Sequence, residues 1–82
     1  MKLTKHFVER WKERVGLFDE DLIGRLVKTA QIVQQYRVAY TPRGLPLVIL
    51  ELRWIPEIGA IVKRDAKNDT LVTVVTQAAI EN

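Results

Sequence analysis

Val33-Gln34-Gln35-Tyr36-Arg37-Val38-Ala39-Tyr40, followed by Thr41-Pro42-Arg43-Gly44, is where the periodicity of this 82-residue chain changes. In the first eight residues of that stretch, Tyr36, Val38 and Tyr40 fall on one face of an extended chain and Gln35, Arg37 and Ala39 on the other. Alternation with a period of two, carried by β-branched and aromatic residues, predicts a strand. The next four residues predict a turn, because proline presets φ at its second position and glycine suits its exit.

Upstream of this point the period is helical. Leu3, Phe7, Trp11 and Val15 recur every four residues with Val8 beside them, which predicts a helix over 4–15. Thr4 is placed to cap it and Gly16 to stop it. A second helix is expected from about Asp19 to Ile32, capped by Asp19, with Glu20 and Asp21 at the positive end of its dipole. Its buried stripe is Leu22, Ile23, Leu26, Val27 and Ala30. Gly24 weakens that helix or marks a close approach to another element. The link Gly16-Leu17-Phe18 is short enough to make the two helices a hairpin or a bent pair.

Downstream, every element is extended. Leu47 to Trp54 forms a second strand, with Val48, Leu50, Leu52 and Trp54 expected inward and Glu51 and Arg53 outward; Pro56 ends it. Ile58 to Arg64 is a third strand, Asp65-Ala66-Lys67-Asn68-Asp69 a polar hairpin loop, and Thr70 to Gln77 a fourth strand. Leu71-Val72-Thr73-Val74-Val75-Thr76 is apolar on both faces and is expected at the middle of the sheet. Ala78 to Asn82 reads as a frayed end. Helices followed by strands imply one α+β domain over 1–82: two N-terminal helices packed on a four-stranded, mostly antiparallel meander. Small size and a sheet covered on one side make a homodimer reasonable.

Composition narrows the function classes. An apolar fraction of 48% argues for a folded chain. No cysteine is present, so there is no disulfide framework and no thiolate ligand or nucleophile, which fits a reducing cytoplasm. The N-terminus lacks the apolar core of a signal peptide. The longest apolar run, Leu45 to Leu50, is too short to cross a membrane. The net charge of +3 permits a polyanionic partner without requiring one. A single histidine excludes the usual His-rich zinc site, and the acidic residues do not cluster at metal-ligand spacing. There is no phosphate-cradling loop, nucleophile elbow or dinucleotide fingerprint, so no cofactor is expected.

What remains is a stripe on the first helix. His6, Arg10 and Arg14 are four residues apart, about 100° around from the Phe7-Trp11-Val15 stripe, and so at the edge of the buried face. An imidazole there can act as general acid or base, and two guanidiniums can pair with phosphate oxygens. The plainer alternative is that the arginines pair with Glu9, Glu13 or an acid on the sheet. Lys63, Arg64 and Lys67 flank the last hairpin, where they can serve a basic, RNA-binding cleft. Thr73 and Thr76 are three apart on a strand, so at most one of them faces a given site. Tyr36, Tyr40 and Trp54 read as core or interface anchors.

The start Thr4-Lys5-His6-Phe7-Val8-Glu9-Arg10-Trp11-Lys12-Glu13-Arg14-Val15-Gly16 is similar to the opening of small bacterial and phage domains. In these a histidine precedes two helical arginines, and a C-terminal strand like Leu71–Thr76 closes the chain. Such domains resemble the RelE, colicin D and EndoU group of metal-independent RNases. The resemblance covers nearly the whole chain in layout, while its motif rests on about six residues. It implies a toxin-type ribonuclease in which an RNA 2′-hydroxyl attacks the adjacent phosphate. His6, Arg10, Arg14 and Thr76 would be the catalytic positions, with Lys63 or Arg64 beside them. It also implies RNA as substrate and an antitoxin or host protein as partner. Two departures stand out: there is no second histidine to act as the complementary acid, and the net charge is lower than is usual for toxins. Two other readings fit the same residues: a non-catalytic phage or mobile-element protein that binds a host protein, and a non-catalytic nucleic-acid-binding module.

Overall fold

Thr4 opens the first helix and also ties it to the other end of the chain. Its hydroxyl accepts the Phe7 N–H at 3.0 Å and donates to the Val72 carbonyl at 3.0 Å. The computed structural model describes residues 1–76, and the side chains of all of these except 38–40 and 46–47. Helix α1 spans Lys5–Arg14 and buries Phe7 and Trp11. It stops where the Val15 and Gly16 N–H groups both donate to the Trp11 carbonyl. Gly16 then takes φ +121°, a conformation that favours a residue without Cβ. The Trp11 indole N–H donates to the Leu17 carbonyl at 3.0 Å, fixing the short link that follows.

Helix α2 spans Glu20–Thr29, with the Asp19 carboxylate accepting the Leu22 N–H at 3.2 Å as its cap. It buries Ile23 and Val27, while Leu22, expected in the stripe, is exposed. The helix ends at Thr29, short of Ile32, because Gln31 already belongs to a strand whose β-branched Ile32 and Val33 favour extension. At Gly24 an added Cβ would meet the Met1 side chain at 3.5 Å, an ordinary contact, so the N-terminal residue lies close to this helix.

The strands are β1 (Lys2–Leu3), β2 (Gln31–Tyr40), β3 (Pro46–Ile55), β4 (Ala60–Asp65) and β5 (Thr70–Thr76). They form one sheet in the order β1-β5-β4-β3-β2. The α+β class and the meander of β2 to β5 agree with the sequence. The sheet is, however, five-stranded and mixed, because β1 pairs parallel with β5. Two residues are too few to show an alternation, which is why β1 cannot be read from the sequence. A second correction concerns Leu71–Thr76. This segment is not central: β4 is the middle strand, and among the described residues the outer edge of β5 beyond Leu71 has no strand partner. Of its two faces, α1 covers the one that bears Leu71 and Val74. Gln77 and the tail Ala78 to Asn82 lie outside the described residues, as do the side chains of Val38, Ala39 and Tyr40.

The third correction decides the energetics. Both helices lie on one face of the sheet, and the residues pointing at them along β3 are Glu51, Arg53 and Ile55. Glu51 and Ile55 are buried, and Arg53 reaches the α2 carbonyl of Val27. Val48, Leu50, Leu52 and Trp54, expected inward, therefore point to the opposite face. The register carries this across the sheet. Ala60, Val62 and Arg64 oppose Ile55, Arg53 and Glu51 on the helix side, whereas Ile61 and Lys63 oppose Trp54 and Leu52 on the other. The buried core is Phe7, Trp11, Ile23, Val27, Ile55, Ala60, Val62, Leu71 and Val74. A register shift between Lys63 and Arg64 lets Leu71 and Val74, three apart, share that face.

Candidate functional site

The stripe on α1 stands beside the outer edge of β5. Three polar contacts hold it there. The Thr4 N–H donates to the Leu71 carbonyl, the Thr4 hydroxyl to Val72, and Arg14 Nη1 to the Val74 carbonyl at 2.6 Å. The first continues the ladder of β1 with β5, and the other two satisfy carbonyls on the edge beyond the reach of β1. Arg14 is thus a sheet-edge cap as well as a surface cation, and the bond spans 60 residues of sequence. Thr76, two residues beyond Val74, is half-buried on the helix side of β5, opposite Ala60.

Arg10 and His6 lie on the same side of α1, about one and two turns nearer its N-terminus. His6 is exposed. Arg10 is engaged in the plainer way its sequence allowed: Nη1 meets Glu13 at 2.7 Å in an i, i+3 pair. The fold therefore brings Arg14 close to the Thr76 end of β5, with Arg10 and His6 following along the helix. None of the four lines the concavity formed beside α2.

The basic residues of the last hairpin are separated. Lys63 projects from the helix-free face, between Leu52 and Thr73. Arg64 projects from the helix side into ion pairs with Glu51 and Asp69, both at 2.8 Å. Lys67 lies in the turn, where its backbone N–H donates to Asp65 at 3.0 Å. These three do not form one basic strip.

The concavity, of about 610 Å³, lies elsewhere, between Gly24, Arg25 and Lys28 of α2 and Met1, Arg53 and Arg64 across from them. Beneath it sits a charge network that sequence reading missed. Glu51 Oε1 accepts from Arg53 Nε at 2.9 Å and Arg64 Nη1 at 2.8 Å. Arg53 Nη1 donates to the Val27 carbonyl at 2.7 Å, at the negative end of α2. Arg64 continues to Asp69, whose other oxygen is 3.4 Å from the N-terminal ammonium. Burial pushes the Glu51 carboxyl up, but hydrogen bonds from both arginines outweigh this and leave it below its ordinary value. Arg64 is raised: burial works against its charge, and the bonds to Asp69 and Glu51 prevail. Asp69 is lowered, first by its bond from Arg64. These guanidiniums are already directed at carboxylates and a helix end, so the network joins the N-terminus, α2, β3 and β4 and is structural.

Asp65 is buried for a different reason. Its carboxylate accepts the Ile49, Lys67 and Asn68 N–H groups and the Asn68 side-chain amide, which builds the β4–β5 turn. Burial pushes this carboxyl up, and the bonds from Asn68, Ile49 and Lys67 bring it below its ordinary value. Among the described residues, no three His, Asp or Glu side chains are grouped as metal ligands, and no helix is long and apolar enough to cross a membrane.

No family model matches the chain, and no curated protein or solved structure is significantly similar to it.

Proposed function

We propose that this domain is a metal-independent endoribonuclease-type protein acting through the α1 stripe and the end of β5. The observation that carries the reading is the Arg14–Val74 bond. It sets α1 along β5, so that a histidine–arginine–arginine helix and a threonine-bearing last strand, at opposite ends of the sequence, become neighbours. In this reading His6 takes the proton of an RNA 2′-hydroxyl as that oxygen attacks the adjacent phosphorus. Arg10, exchanging Glu13 for the phosphate, stabilises the charge that builds on the phosphorane. The 5′-oxygen leaves with a proton from water, since Lys63 is on the other face and Arg64 is held by two carboxylates. The products are a 2′,3′-cyclic phosphate and a free 5′-hydroxyl.

The test is a defined single-stranded RNA incubated with pure protein and the 3′ ends of the products analysed. Cleavage is expected to persist in EDTA. His6→Ala is expected to lose roughly 10²–10⁴-fold, the range for one positioned acid or base. Arg10→Ala should slow the reaction while leaving the melt within about 1 kcal/mol of wild type, because its pair with Glu13 is exposed. RNA left intact with and without divalent metal would end the enzyme reading in favour of a non-catalytic binding protein.

A further inference from the structure

We infer that the helix-free face of the sheet is a docking surface for an acidic amphipathic helix of a partner protein. This rests on the sheet register alone and is independent of the ribonuclease reading. Leu50, Leu52 and Trp54 of β3, Ile61 of β4 and Val75 of β5 share this face, with Tyr36 of β2 opposite Leu50. All six are only half-buried, and none belongs to the core or to the partly buried residues packed against it. On the other face, the alternate positions of the same strands are covered by α1 and α2. A sheet that is apolar on both faces calls for a layer on each.

Size and charge decide what that layer is. The strip from Leu50 to Trp54 across β3, β4 and β5 is about 14 Å wide and about 17 Å long, from strand spacing and rise. It fits one helix of about 10 Å diameter and three to four turns. Lys63, between Leu52 and Thr73, is a cation set into this face. Among the described residues, the carboxylate on the same register is that of Asp65, which is occupied by the backbone of its own turn. With the chain at net +3, the complementary helix carries a leucine-type stripe flanked by glutamates or aspartates.

The probe is a synthetic 14-residue helix with leucines at i, i+3, i+4 and i+7 and glutamates elsewhere, beside its lysine-for-glutamate counterpart. Each is titrated into isotope-labelled full-length protein and followed by amide and indole resonances. The glutamate peptide should shift the Trp54 indole and the Ile61, Lys63 and Val75 amides, leaving the buried Trp11 indole in place. Trp54→Ala should weaken binding roughly thirtyfold, as for a central anchor. Should that variant fold poorly, Lys63→Glu keeps the apolar face and is expected to weaken the glutamate peptide about fivefold and favour the lysine peptide. Equal binding of both peptides, shifts confined to the helix side, or no binding would overturn the proposal. So would concentration-dependent self-association that moves the same resonances, which assigns the face to a second copy. An RNA oligonucleotide shifting Trp54 where the glutamate peptide does not would assign it to nucleic acid.

Discussion

Glu51 shows most clearly how a residue's role depends on partners far along the chain. By alternation it belongs with Arg53 on a polar, outward face, yet it is buried to 5% exposure. Its two arginine bonds make this tolerable, and removing the carboxylate leaves two largely buried guanidiniums uncompensated. Glu51→Gln is therefore expected to cost ~3 kcal/mol, the lower end for breaking a buried pair because both arginines still touch solvent. A urea titration measures it as a lower midpoint at unchanged slope. The same carboxyl, with Asp65, sets the acid response. Both are held below their ordinary values of 4.5 and 3.8, so the unfolded chain takes up protons first as pH falls. Their contribution is full above about pH 5 and is lost progressively below it. The urea midpoint should be level from pH 7 to about 5 and then drop, and Glu51→Gln should flatten that drop. A midpoint rising toward acid would contradict the network.

At the scale of elements, α1 is held by three kinds of contact: a cap, a buried aromatic pair, and side chains donating to a sheet edge. Thr4 serves the first and third together, so Thr4→Ala is expected to cost about 1–2 kcal/mol, at the upper end for an N-cap. Phe7 and Trp11 pack with their rings tilted by 35° and centroids 5.9 Å apart within the core. Truncating Trp11 to alanine should cost ~3–5 kcal/mol, most of the margin of so small a domain. Trp54 gives the contrast that tests the face assignment. Read from alternation, it is as interior as Trp11; in the fold it faces away from both helices. Trp54→Ala should cost only about 1–2 kcal/mol, from cross-strand contacts. Acrylamide quenching makes the same distinction without truncation. Fluorescence should be readily quenched in Trp11→Phe and poorly quenched in Trp54→Phe; the reverse order would place the core on the other side of the sheet.

For the whole molecule, the change from period 3.6 to period 2 near residue 32 was enough to establish the α+β class, both helices and the order of the main strands. These signals are local: caps, turns and periodicities are written within a few residues of where they act. The α1 stripe was legible for the same reason, as was Glu13 as a partner within reach of Arg10. Only tertiary structure could decide which face of β3 is inside. Alternation gives two faces without giving their sign, and a charged face can be the buried one if counter-charges arrive from elsewhere. Here they come from Arg64, 13 residues from Glu51, while Arg53 finds the Val27 carbonyl 26 residues away. The pairing of β1 with β5, the reach of Arg14 to Val74 and the placing of Trp54 and Lys63 on the face away from both helices have the same origin. Each depends on distances between segments remote in sequence, which only the closed fold sets.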